Sequence, residues 1–208
     1  GIMARTFAHE TVTELARHAT VPVINGLTDL LHPCQVMADL QTIREVFGRL
    51  AGRKLAYVGD GNNMAHSLMF GGAKTGMAVA VATPAGFEPK AEIVASAKRD
   101  AQETGGSIAT THDPAEAVAG AHVVYTDVWA SMGQEEEAET RRRRFAGFTV
   151  TESLMAKAAP DAVFLHCLPA HRGEEVEAAV VDGPRSRIFD EAENRLHAQK
   201  AILLSLMA

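Results

Sequence analysis

From Arg53 onward, short apolar runs alternate with helical patterns so regularly that few architectures can accommodate the chain. The runs lie at 54–58, 77–82, 107–111, 122–127 and 162–167. Each holds five or six residues rich in Val, Ala and Ile, as expected of strands buried on both faces. Between them are stretches with helix start and stop signals. Pro89 introduces a helix over 90–103 that stops at Gly105-Gly106, and Asp113-Pro114 supplies an N-cap and a first-turn proline for 115–119, ended by Gly120. Thr149 and Glu152 have capping-box spacing for a helix to Ala158, before Pro160. Repeated βα units predict an α/β fold: a doubly wound, mainly parallel five-stranded sheet with helices on both faces.

The first fifty residues read differently. A short helix at 11–19, an extended run at 21–25 and a long helix at 36–50 are the expectation, as the remnant of a second α/β domain. A final helix at 191–207 is expected to pack outside the sheet through Leu196, Ile202, Leu203 and Leu206. The run Glu135-Glu136-Glu137 followed by Arg141 to Arg144 offers i,i+4 pairs, Glu137 with Arg141 and Glu139 with Arg143, and reads as a solvated helix face.

With 47% apolar and 22% charged residues in 208, the chain is globular rather than disordered. Its net charge of −6 argues against a nucleic-acid or anionic-membrane footprint, while leaving room for a small anion in a locally basic pocket. No apolar run approaches the ~20 residues of a membrane helix. Two cysteines, Cys34 and Cys167, are too few for a disulfide scaffold, so a reducing cytoplasm is expected. The start at Gly1, with no signal-peptide pattern, suggests a fragment.

Polar clusters fall where the strands end. They are Gly59-Asp60-Gly61-Asn62-Asn63, then Asp127-Val128-Trp129-Ala130-Ser131-Met132-Gly133, then His166-Cys167-Leu168-Pro169-Ala170-His171-Arg172. Open α/β sheets bind ligands outside these carboxyl ends. The first loop departs from the dinucleotide fingerprint. Met64 stands where a small residue is wanted, and the second strand runs into Ala82-Thr83-Pro84 without a ribose-binding acid, so no nicotinamide cofactor is expected. Asn62 and Asn63 suit a carboxylate or carbonyl ligand, or a helix cap. His32-Pro33-Cys34 and His166-Cys167 lack structural zinc spacing, and no metal is expected.

These elements occur in a telling order: Arg5, His32-Pro33-Cys34-Gln35, the Gly59–Asn63 loop, Asp127 through Gln134-Glu135, and His166-Cys167-Leu168-Pro169. The order resembles the ornithine carbamoyltransferases of the aspartate/ornithine carbamoyltransferase superfamily, from the first residue to the last helix. The Ser-Met-Gly loop and the His-Cys-Leu-Pro stretch are the specific parts, while His-Pro-x-Gln is shared across the superfamily. The family's Ser-x-Arg-Thr phosphate loop has no counterpart in this sequence, so these 208 residues alone are expected to bind carbamoyl phosphate poorly and to be weakly active or inactive.

The resemblance implies transfer of a carbamoyl group from carbamoyl phosphate to the δ-amine of L-ornithine, giving citrulline and phosphate, without a cofactor. It implies Arg5, His32, Gln35, Cys167, Leu168 and Arg195 at carbamoyl phosphate, and Asn63, Asp127, Ser131 and Met132 at ornithine. Arg5, His32, Asp127 and Cys167 are the catalytic candidates. The Cys sulfur is expected to steer the amine rather than attack. The implied organisation is the end of a carbamoyl-phosphate domain at 1–50, an ornithine-binding domain at 51–185, and a helix at 186–208 returning to the first. A homotrimer or higher multiple is implied for a complete chain, with no nucleic-acid or membrane partner. Two alternatives stand: a non-catalytic amino-acid-binding fragment, or a carbamoyltransferase for putrescine or acetylornithine.

Overall fold

The computed structural model describes residues 1–130 and 138–207. Two parallel strands, β1 (Ile2–Arg5) and β2 (Val23–Leu27), flank helix α1 (His9–His18) and lead to helix α2 (Pro33–Phe47). A βα series follows: β3 (Lys54–Val58), α3 (Asn63–Lys74), β4 (Ala78–Ala82), α4 (Ala91–Thr104), β5 (Ser107–Thr111), α5 (Pro114–Val118) and β6 (Val123–Thr126). Then come α6 (Ala138–Arg144), α7 (Glu152–Met155), β7 (Val163–His166), α8 (Ala178–Val181) and α9 (Ile188–Met207). The last five strands form one all-parallel sheet in the order β5-β4-β3-β6-β7. This is the doubly wound architecture the alternation predicts.

The period of two along each strand divides the core. Leu55 and Tyr57, Val79 and Val81, Val123 and Tyr125, and Val163 and Leu165 pack with Val36, Ile43, Met64, Leu68 and Ile93 on one side. Ala56 and Val58, Ala80 and Ala82, Val124 and Phe164 face Val118, Phe145, Phe148, Leu154 and Val180 on the other. The chain winds outward from β3 to β5, then returns to β6 on the opposite flank of β3. The carboxyl ends of β3 and β6 therefore border the switch in direction where such sheets leave a crevice.

Several boundaries shift for local reasons. Helix α2 begins at Pro33, whose fixed φ suits a first helical position, and ends where Gly48 adopts φ 74° with its N–H on the Arg44 carbonyl at 2.8 Å. The capping box at Thr149 does not form, because the Thr149 hydroxyl donates to the Glu174 carbonyl at 2.7 Å. Thr151 instead caps α7 by accepting from Leu154 N, and the helix ends at Met155. The arginine run is only partly solvated. Arg143 pairs with Glu139 at 3.1 Å in the open, whereas Arg141 is buried against Asp60 at 2.6 Å and the Trp129 carbonyl at 2.9 Å. Glu137, its expected partner, lies outside the described residues.

Helix α9 also departs from expectation. Leu196, Leu203 and Leu206 are exposed, and Ile188, Glu191, Asn194 and Ala198 form the buried face. That face lies along α2. Asn194 donates to Thr42 Oγ1 at 3.0 Å and to Glu45 at 2.7 Å, and accepts from Gln41 at 2.9 Å.

Candidate active site

A cleft of about 500 Å³ opens at the carboxyl ends of β1, β2, β3, β6 and β7. Its walls include Arg5, His32, Asn63, Asp127, Cys167, Leu168 and Arg195, seven residues that the resemblance singles out across 190 positions of sequence. Asn62 and His171 join them. Gln35 lies directly behind Arg195, buried, its Oε1 accepting from the Arg195 guanidinium at 2.5 Å. Ser131 and Met132 lie outside the described residues.

Each wall residue has a local reason to be there. Arg5 ends β1 and is exposed at the rim, and its guanidinium makes no hydrogen bond or ion pair among the described residues. His32 precedes Pro33 at φ −129°, and its side chain does not cap α2. Its N–H is anchored instead by the Ser67 hydroxyl at 2.7 Å, leaving the ring in the cleft wall. Burial, then the Arg195 and Arg5 cations, push the His32 imidazole down to about 4, so it is neutral at pH 7.

The two asparagines divide their tasks. Asn62 caps α3 by accepting from Met64 N at 2.9 Å and Ala65 N at 3.3 Å, and its Nδ2 donates to Asp127 Oδ2 at 3.0 Å. Asn63 Nδ2 donates to the Thr28 carbonyl at 2.7 Å, tying α3 to the loop after β2. Gly61 sets the depth of this loop. Its N–H donates to the Phe87 carbonyl at 2.9 Å, and a Cβ there would lie 2.3 Å from Pro89 N.

Asp127 follows β6 directly and is buried. Its Oδ1 accepts from Val128 N at 2.8 Å and from the Cys167 thiol at 3.1 Å. Burial, reinforced by the Asp127 carboxylate, pushes the Cys167 thiol well up, so it remains S–H and is a poor nucleophile. Leu168 takes φ 60°, uncommon for a non-glycine residue, and its N–H donates to His166 Nδ1 at 2.9 Å. His166 Nε2 in turn meets buried Glu175 at 3.2 Å, so the loop after β7 is held from beneath.

Asp127, His166 and Cys167 bring ligand-type atoms within 4.8 Å of one another. Both His166 nitrogens and the Cys167 thiol are already engaged by protein partners, so a metal would have to displace those bonds. The cleft offers an anion two guanidinium groups, and it offers a cationic ligand the Asp127 carboxylate.

Sequence reasoning missed the layer behind these residues. Asp39 and Glu191 are fully buried carboxyls meeting at Gln35, although each occupies a helical position that reads as solvated. The one available clue was spacing, since Asp39 lies four residues after Gln35 and Glu191 four before Arg195.

Comparison with known proteins identifies the family and the fold. Residues 51–206 match the family model for the aspartate/ornithine carbamoyltransferase Asp/Orn-binding domain, and residues 1–45 match that of the carbamoyl-phosphate-binding domain. Over 208 residues the chain is 65% identical to an ornithine carbamoyltransferase of Symbiobacterium thermophilum, covering all of this chain and 67% of that protein. An ornithine carbamoyltransferase of Oceanobacillus iheyensis is 62% identical, again over the whole chain and 65% of the relative. The solved ornithine carbamoyltransferase of Pyrococcus furiosus superposes with a TM-score of 0.94 at 57% identity, over 99% of this chain and 65% of that one. The chain thus spans about two thirds of the length of the relatives it matches.

Proposed function

The chain belongs to the aspartate/ornithine carbamoyltransferase family, and from that premise we propose that its cleft binds carbamoyl phosphate and L-ornithine and transfers the carbamoyl group to the ornithine δ-amine, as in arginine biosynthesis. The observation that carries this reading is the convergence of Arg5, His32, Arg195, Asp127 and Cys167 on one cleft. In the reaction the neutral amine attacks the carbonyl carbon, the carbon–oxygen bond to phosphate breaks, and the amine loses a proton. Such a transfer needs cations for the leaving phosphate, a donor for the developing oxyanion, and a fixed nucleophile.

Arg5 and Arg195 supply the charge facing phosphate. A neutral His32 donates one N–H toward the carbonyl oxygen without adding a third positive charge. The Gln35 carbonyl accepts from the carbamoyl N–H₂, a donor that an acetyl group lacks. Asp127 pairs with the ornithine α-ammonium, and Asn63 contributes a polar contact beside it. The uncharged Cys167 thiol and the Leu168 carbonyl border the δ-amine and favour its neutral form. A homotrimer belongs to the same proposal, and sedimentation of the purified protein reports it.

The test is a citrulline assay together with titration of carbamoyl phosphate. Asp127→Asn is expected to lower kcat/KM for ornithine at least about tenfold, the loss of a charge-assisted pair, with little change in carbamoyl-phosphate affinity. An unchanged kcat/KM removes Asp127 from the ornithine site. An assay in which putrescine or acetylornithine outcompetes ornithine replaces the substrate.

A further inference from the structure

Behind the cleft, two carboxyl groups meet where no solvent reaches. Gln35 Nε2 donates to Asp39 Oδ1 at 2.8 Å and to Glu191 Oε1 at 3.0 Å. Glu191 Oε1 also accepts from the Tyr125 hydroxyl at 3.0 Å, and Oε2 accepts from His166 N at 2.9 Å. Both carboxyls thus accept from the same buried amide nitrogen, and two acids held so close out of water do not both ionise, so one keeps a proton. The donor count assigns it. Glu191 accepts from three N–H or O–H groups, which favours its ionised form, whereas Asp39 accepts from Gln35 alone and its Oδ2 takes no N–H or O–H donor.

We propose that Asp39 and Glu191, sharing one proton, are positioning residues that lock the Gln35 amide with its carbonyl oxygen toward Arg195, whose guanidinium lines the cleft. The opposite orientation fails on both sides. It would aim the carbonyl at an ionised carboxylate and the N–H₂ at the Arg195 guanidinium, which has no acceptor. The lock thus decides which end of the amide a ligand meets. An acceptor selects a ligand carrying N–H, so the pair acts as a specificity device for carbamoyl over acetyl phosphate at one remove from the substrate. Burial raises both carboxyls, Asp39 well above its usual range, in agreement with one retained proton.

The inference rests on the carbamoyl-phosphate reading only for its ligand arm. Asp39→Asn mimics the protonated acid, because its amide oxygen accepts from Gln35 and its N–H₂ donates to Glu191. Glu191→Gln leaves one acceptor oxygen for three donors. In ¹⁵N spectra of the full chain, the two Gln35 amide protons should be slow to exchange with solvent, stay so in Asp39→Asn, and become fast-exchanging in Glu191→Gln. Carbamoyl phosphate should bind Glu191→Gln at least about tenfold more weakly, while acetyl phosphate changes less than about threefold. Slow exchange surviving in Glu191→Gln, or equal loss in both variants, overturns the lock. Equal weakening of both phosphates overturns its role in selectivity. Should Glu191→Gln fail to fold, the infrared difference between the parent and Asp39→Asn at pH 7 decides. Loss of a protonated-carboxyl C=O band supports the shared proton, and loss of a carboxylate band alone overturns it. If the parent binds neither phosphate, the functional reading falls and the amide exchange still decides the lock.

Discussion

A single imidazole carries a measurable consequence. His32 titrates at about 4 in the folded chain because it is buried and faces Arg195 and Arg5, against about 6.5 unfolded. Between those values the unfolded chain binds a proton that the folded chain refuses. The stability from a neutral His32 is therefore complete above pH 6.5 and lost as pH falls toward 4. The full loss is about 3 kcal/mol. The unfolding free-energy difference between the parent and His32→Gln should shrink by that amount from pH 7 to pH 4, and a flat difference would show that the ring titrates normally. Asn63, Asp127 and Cys167 were legible as polar residues where strands end, whereas His32, Gln35 and Arg195 were implied only by the family resemblance. The sequence could not name Asp39 or Glu191, because the identity of a helical carboxylate does not state its burial. That is decided by whether another helix covers it, and here the cover is supplied from 156 residues away.

At the scale of elements, α3 holds a Gly71-Gly72 pair inside the helix, at contacts that exclude a side chain. A Cβ at Gly71 would lie 2.4 Å from Val36 on α2, and one at Gly72 would lie 2.2 Å from Val79 on β4. Helix propensity loses to packing at both. Gly72→Ala should therefore destabilise by about 1–3 kcal/mol although alanine favours helices, an overpacking cost readable as a lower denaturation midpoint. A gain in stability would mean that α3 can move off the sheet freely. Gly61→Ala belongs to the same class. The added methyl meets backbone at 87–89 rather than a pliable side chain, so the loop bearing Asn62 and Asn63 must move. Its ornithine affinity should fall at least about fivefold, since sub-ångström placement governs such contacts, and calorimetry would report it. In the five-stranded sheet, boundaries were legible to within a residue because short Val/Ala/Ile runs between turns have few alternatives, whereas β1 was not read as a strand and β2 was placed two residues early. The packed face of α9 was not legible, because a polar seam lies opposite its more hydrophobic surface.

For the molecule as a whole, the sheet is local and the site is not. Neighbouring strands of the large sheet pair across 24 to 68 residues, whereas the Gln35–Arg195 bond closes a span of 160. Closing so long a span costs chain entropy that only late, specific contacts offset. Asn194 reports on that step. Replacing it by Ala removes three hydrogen bonds across the seam, while Gln41 and Glu45 keep each other and Thr42 keeps the Ala38 carbonyl, and should cost about 1–2 kcal/mol, expressed almost wholly as faster unfolding with an unchanged folding rate. A slowed folding limb would instead place the α2–α9 seam in the nucleus. The seam also makes the cleft mechanically separable from the sheet. A pull that peels α9 off α2 breaks the Gln35–Arg195 bond and takes one of the two cleft guanidinium groups with it, while the five parallel strands stay paired. Anion capture is then the first property to yield under load, and the fold the last.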